Sequence, residues 1–129
     1  MPDTQKNLYK KNLGRKGERR AAKFLKKKGY KILKTNYVTP FGEADIAALD
    51  GDTVVFCEVK TRLTEKFGTP AEAVERHKQK RYGDIARFFV MKTGRDDVNV
   101  RFDVLEVFAD RVNHIEGAFG MPEGYFPKK

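Results

Sequence analysis

Two β-prone runs joined by Asp50-Gly51-Asp52 constrain this chain more than any other feature. Glu43 to Leu49 and Thr53 to Lys60 are rich in apolar and β-branched residues, and the Asp-Gly-Asp between them is a hairpin signal. The hairpin fixes which side chains meet. With a two-residue loop, either Asp50-Gly51 or Gly51-Asp52, Asp45 lies opposite Phe56 or opposite Glu58, and in both registers Asp45 and Glu58 share a face. A three-residue loop without a bulge would part them.

Glu58-Val59-Lys60 ends a run that is otherwise apolar, and the strand period of two sets Glu58 and Lys60 on one side. Glu43 and Asp45 share a face of the preceding run by the same rule. Carboxylates at Asp45 and Glu58 are then direct or diagonal cross-strand neighbours, near enough to hold one hard cation between them. Without a cation or Lys60 they repel.

A third acid comes from the first helix. From Gly14 to Lys28, small and apolar residues recur at helical spacing through Gly14, Gly17, Ala21, Ala22 and Leu25, and Gly29 supplies a stop. Glu18 lies on that inward stripe, where a carboxylate needs a partner. Gly14 and Gly17 carry no side chain, so this turn can approach the sheet and bring Glu18 to the same cation or its water.

The remaining elements follow from periodicity. Tyr30 to Val38 reads as a strand, Ala71 to Lys92 as a helix with Ala71, Val74, Ile85 and Phe89 on one stripe, and Val98 to Phe108 as a further strand. Residues 109–129 read as a Gly- and Pro-containing tail. The order helix, three strands, helix, strand predicts an α/β domain with a mixed sheet flanked by helices, because a long crossover helix returns a parallel strand.

Charge places the partner. Of 27 Lys and Arg, thirteen fall within the first 34 residues, where only Asp3 and Glu18 oppose them, and the formal net charge is +9. Residues 1–13 are Lys-rich without apolar periodicity and read as a flexible basic arm, leaving 14–129 as a single domain. A cationic end points to a polyanion, for which nucleic acid and an anionic membrane surface are the ordinary candidates, with solubility as the plainer alternative. No apolar run reaches the length of a signal-peptide core or a membrane span, so the expected location is cytoplasmic, away from membranes. Cys57 lies in an apolar run, and His77 and His114 have no ligand-like spacing to it, which disfavours zinc.

Two carboxylates with a divalent ion and a lysine make a phosphodiester-hydrolysis set: the ion activates water and neutralises phosphate charge, and Lys60 orients water or stabilises the developing anion. Asp45, twelve intervening residues and Glu58-x-Lys60 match the signature of PD-(D/E)XK nucleases, with Ala44 where that signature has Pro. Further motifs are Gly14-x-x-Gly17-Glu18, Gly42-Glu43-x-Asp45-Ile46, Gly51-Asp52-Thr53, Phe56-x-Glu58-Val59-Lys60-x-Arg62 and Phe67-Gly68-x-Pro70. Through these the chain resembles the YraN-like family of small bacterial proteins, and in element order it is similar to archaeal Holliday-junction resolvases.

The resemblance implies a restriction-endonuclease-like αβββαβ core and a metal-dependent endonuclease acting on DNA, including branched or structured DNA. It implies Asp45 and Glu58 as ligands of Mg²⁺ or Mn²⁺, Lys60 and Glu18 as further catalytic groups, and Glu43 as an outer-shell partner. Arg62, Lys78 and Arg81 are the candidate phosphate contacts, Lys78 falling on the inward stripe of its helix with Val74, Tyr82 and Ile85. Junction resolution would require two sites and hence a homodimer. The alternative is a non-catalytic nucleic-acid-binding adaptor that keeps the nuclease fold.

Overall fold

The computed structural model describes residues 2–62, 76–95 and 97–121, the first eleven by backbone alone. Helix α1 (Pro2–Lys27) is followed by strands β1 (Lys31–Thr39), β2 (Gly42–Asp50) and β3 (Thr53–Thr61), helix α2 (Arg76–Thr93), and strands β4 (Asn99–Val107) and β5 (Val112–Phe119). The five strands form one sheet in the order β1-β2-β3-β4-β5. Only β3 and β4 run parallel, which is the pairing that the α2 crossover requires.

Central position explains the composition of β3. Val55 and Cys57 face α1 and pack with Ala21, Ala22, Leu25, Ile46, Ala48 and Leu105. Val54 and Phe56 face α2 and pack with Tyr82, Ile85, Ala86 and Phe102. A strand covered on both sides reads as an unbroken apolar run, which accounts for Val54-Val55-Phe56-Cys57, all fully buried. Ala21, Ala22 and Leu25 of α1 and Ile85 and Phe89 of α2, all on the expected stripes, do the same work from each side, and Cys57 is core, as expected.

Two boundaries differ from the sequence reading. Helix α1 begins at Pro2, so the segment expected to be an arm before Gly14 continues the helix backbone. A helix without an apolar stripe there leaves no periodic signal, although Gln5, Lys6, Leu8, Lys10, Lys11 and Leu13 are good helix formers. The tail expected after Phe108 contains β5, which pairs antiparallel with β4. Residues 63–75, including the first turn expected for the second helix and the Phe67-Gly68-Thr69-Pro70 motif, lie outside the described residues.

Strand β5 is held by a polar network that apolar patterning does not show. The Asp103 carboxylate is fully buried and accepts hydrogen bonds from Arg101 Nε (2.9 Å) and Nη2 (2.8 Å) and from Gly117 N (2.9 Å), with His114 Nε2 at 2.7 Å. Burial alone would raise its pKa. The bonds from Arg101, His114 and Gly117 outweigh that and hold it below the usual value. Arg101 also reaches Asp50 Oδ2 (2.9 Å) and Tyr30 Oη (2.7 Å), tying β4 to β2 and to the residue before β1.

Helix α1 is stopped beyond Lys27 by Gly29, whose φ of 98° is left-handed. There Gly29 N donates to Lys26 O and Tyr30 N to Leu25 O, both at 3.0 Å, closing the last turn. Among the described residues no helix is long and apolar enough to cross a membrane.

Candidate active site

The hairpin closes with Gly51-Asp52 as its two-residue loop, since Asp50 pairs with Thr53. Pairing then proceeds regularly to Ile46 opposite Cys57 and stops. One step further along that register, Asp45 is level with Glu58. The strands are no longer joined by backbone there; instead Asp45 Oδ2 accepts from Val59 N at 2.7 Å. A carboxylate thus takes the place of a ladder carbonyl at the point where β2 and β3 part.

Asp45 is the electrostatic centre of the cluster. Burial pushes its pKa up to about 7 against the Val59 N–H bond, which works downward, and the nearby charges of Glu58, Glu18 and Glu43 add to the rise. Glu18 on α1 is also raised, by burial first and then by Glu43, with Asn36 and Arg15 opposing. Four acids from α1, β2 and β3 therefore share one electrostatic neighbourhood. This brings together the carboxylates expected from sequence, including Glu43.

Two groups that hold the cluster were not singled out from sequence. Asn36, with its amide nitrogen turned toward the acids, donates to Glu43 Oε1 at 2.8 Å and Glu18 Oε2 at 3.0 Å. Its φ of 52° is left-handed, a conformation that Asn adopts more readily than most residues. An amide inside a β-prone run was the available signal. Tyr82 on α2 is the second; it is buried and donates to Cys57 O at 3.2 Å, beside Glu58 and Asp45. Burial raises its phenol, and those two charges raise it further.

The basic residues divide by role. Lys78 reaches in from α2 and pairs with Glu58 Oε1 at 2.9 Å, so its place on the inward stripe is realised as contact with the candidate site. Lys60 lies level with Glu106 on β4 and makes no hydrogen bond or ion pair with a described residue, which leaves its amine available. Arg62 pairs with Glu106 Oε2 at 3.3 Å and donates its backbone N–H to Val107 O at 2.8 Å. Arg81 lies over Gly42, where a Cβ would come within 2.4 Å of its Cδ, so its stem packs against the start of β2.

Among the described residues, no three His, Cys, Asp or Glu side chains are grouped closely enough to hold a metal ion by themselves. The pair Asp45 and Glu58 is the remaining donor set. Asp45 Oδ2 accepts from Val59 N and Glu58 Oε1 from Lys78 Nζ, and Tyr82 also hydrogen-bonds the Glu58 side chain. Two carboxylates suit Mg²⁺, which binds through one or two of them and fills its other positions with water and phosphate oxygens.

Residues 17–107, which span the acids and the whole of β1 to β4, match the model of "Uncharacterised protein family UPF0102". The UPF0102 protein of Caldanaerobacter subterraneus is 42% identical over 121 residues, covering 88% of this chain and 99% of its own length. That of Alkaliphilus oremlandii is 46% identical over 115 residues, covering 84% and 98%. The crystal structure of SSO0001 is matched at 14% identity over 74% of this chain and 42% of that one, with a TM-score of 0.34, a likeness too slight to carry an argument. On the family match and these near full-length relatives, the chain belongs to the UPF0102, or YraN-like, family.

Proposed function

We propose that this protein is a metal-dependent endonuclease that hydrolyses phosphodiester bonds in DNA, with branched or otherwise structured DNA as the substrate class. The observation that carries the reading is the convergence of Asp45 and Glu58, with Glu18 and Glu43 behind them, where the ladder between β2 and β3 ends. Such a concentration of partly buried acid is costly unless a cation is bound there at work.

Asp45 and Glu58 are the residues that would hold Mg²⁺ or Mn²⁺. A divalent ion in that place would neutralise charge on the scissile phosphate and lower the pKa of an attacking water. Val59 N–H fixes the Asp45 carboxylate, and Lys78 fixes that of Glu58. Asn36 orients Glu18 and Glu43 toward the cluster. Lys60, uncommitted to any described residue, supplies an ammonium for the charge that develops on phosphate. The cationic first helix contributes attraction to the nucleic-acid backbone that weakens as salt rises.

The test compares wild type with Asp45→Asn on linear, nicked, flapped and four-way DNA in Mg²⁺ and Mn²⁺. Cleavage of at least one structure by wild type and its loss in the variant supports the reading. Equal cleavage by both proteins would assign the activity to a contaminant. Binding without cleavage of any structure would leave the non-catalytic adaptor as the function.

A further inference from the structure

A cavity of about 460 Å³ opens between α1 and the carboxyl ends of β3 and β4. Its helix wall is Leu13, Lys16, Gly17 and Arg20, spaced i, i+3, i+4, i+7. The neighbouring stripe, Glu18, Ala21, Ala22 and Leu25, has the same spacing. It packs Ala21, Ala22 and Leu25 into the core, while Glu18 adjoins the acid cluster. One helix therefore serves the acid cluster with one stripe and this cavity with the next.

Across the cavity stand Thr61 and Arg62, which directly follow Lys60, together with Val107 and Phe108 at the end of β4. Gly17 sets the width, because a Cβ there would lie 2.2 Å from Thr61 Oγ1. The cations are positioned. Arg20 Nη1 donates to Phe108 O, and Arg62 is held by Glu106, whose other oxygen accepts from Asn113 Nδ2 at 2.9 Å. Glu106 offsets Arg62, so Lys16 and Arg20 leave the cavity cationic. Its walls combine these cations and a hydroxyl with apolar surface from Leu13, Val107 and Phe108, and its volume lies in the range of about 300–1,000 Å³ usual for small-molecule sites.

We propose that this cavity binds one nucleotide unit of a nucleic-acid strand, its phosphate on Lys16 and Arg20 and its base against the apolar wall. The assignment rests on the nuclease reading for its meaning, as the seat of a nucleotide flanking the bond to be cut. At about 3.3 Å per residue along a strand, Arg62 is roughly 13 Å from Glu58. That is a separation of only a few nucleotides along a DNA strand, beside the bond to be cut. A free mononucleotide offers the same chemistry, so the source is decided by comparing the two.

Binding is measured on the full chain without divalent metal, which separates it from cleavage. Wild type, Lys16→Glu and Ala109→Trp are titrated by calorimetry with dAMP, deoxyadenosine, inorganic phosphate and a five-residue single-stranded oligonucleotide. Both altered side chains are exposed at the cavity, so these changes spare the core. Asp52→Asn in the hairpin loop is the remote control. The expected result is dAMP binding stronger than that of either fragment and weakened about tenfold by Lys16→Glu, the loss of one charged contact. Ala109→Trp should weaken it comparably by filling the space, and Asp52→Asn should not.

Tighter binding of the oligonucleotide than of dAMP, with the same sensitivity to both variants, assigns the site to a strand. Tighter binding of dAMP would overturn that assignment in favour of a free nucleotide. No binding of dAMP or oligonucleotide, or binding that both cavity variants leave unchanged, overturns the site itself. If the site binds while wild type cleaves no DNA, the nuclease reading alone fails.

Discussion

Lys78 Nζ on α2 lies 2.9 Å from Glu58 Oε1 on β3, so the cation that contacts this acid comes from the crossover helix and not from Lys60 two residues away. An ammonium on one carboxylate oxygen competes with a divalent ion for the same charge. Lys78→Met should therefore raise Mg²⁺ and Mn²⁺ affinity, whereas Lys60→Met should leave it nearly unchanged. In chelator the Lys78 variant should lose at most about 1 kcal/mol, because the lysine is over a third exposed and its pair is screened. Metal titration followed by thermal unfolding reads both effects.

Asp45 makes stability depend on pH in the direction opposite to most acids. Its folded pKa of about 7 lies above the ordinary 3.8, so its favourable contribution is complete below 3.8 and lost as pH rises through 7. Asp45→Asn keeps an oxygen to accept from Val59 N and cannot ionise. Urea midpoints in chelator should show the variant gaining on wild type between about pH 4 and about pH 7. A gap independent of pH would remove Asp45 as the titrating group.

The two glycines at the start of the buried part of α1 should respond oppositely to alanine. Nothing lies within 4 Å of a Cβ at Gly14, whereas one at Gly17 meets Thr61 Oγ1 at 2.2 Å. Gly14→Ala should stabilise by about 0.5–1 kcal/mol through helix propensity. Gly17→Ala should instead cost about 1–3 kcal/mol, the range of an overpacked contact, and narrow the cavity beside it. Denaturant unfolding of both single variants checks the contrast.

Asp103 should be the most sensitive charged residue outside the acid cluster. Asp103→Asn removes the charge that Arg101 meets inside the sheet, and losing one partner of a buried pair costs about 3–5 kcal/mol. Because its folded pKa is below 3.8, the stability it provides is present above that value and lost as pH falls through the folded one. The difference between wild type and variant should thus be full at neutral pH and shrink in acid, as read by urea unfolding across that range.

What sequence could show was set by periodicity and local turn chemistry. A hairpin within Asp50-Gly51-Asp52, a shared neighbourhood for Asp45 and Glu58 and the apolar run Val54 to Cys57 follow from turn chemistry and a strand period of two, while which two residues close the loop does not. Strand β5 escaped because Val112 to Phe119 is an edge, half exposed, and anchored through Asp103, His114 and Gly117 by polar bonds that have no period. The Lys78–Glu58 pair could be placed only as far as an inward stripe. Which acid the lysine meets depends on how the crossover helix docks, a tertiary relationship beyond local pattern. Lys60 shows the converse: strand parity fixes its side but says nothing of whether its amine is engaged.

The left-handed backbone at Asn36 also limits what that position can become. A φ of 52° favours Gly, Asn, Asp and His, while the two carboxylates in front of it require a side chain with two N–H donors. Gly satisfies the backbone and abandons both acids. Asp satisfies the backbone and adds a fifth negative charge. Gln and Arg offer the donors but resist the conformation. Asn meets both demands, and protonated His is its nearest substitute. A saturation library at position 36 should therefore be nearly empty of functional variants, although the residue sits on an exposed edge strand where tolerance would ordinarily be broad.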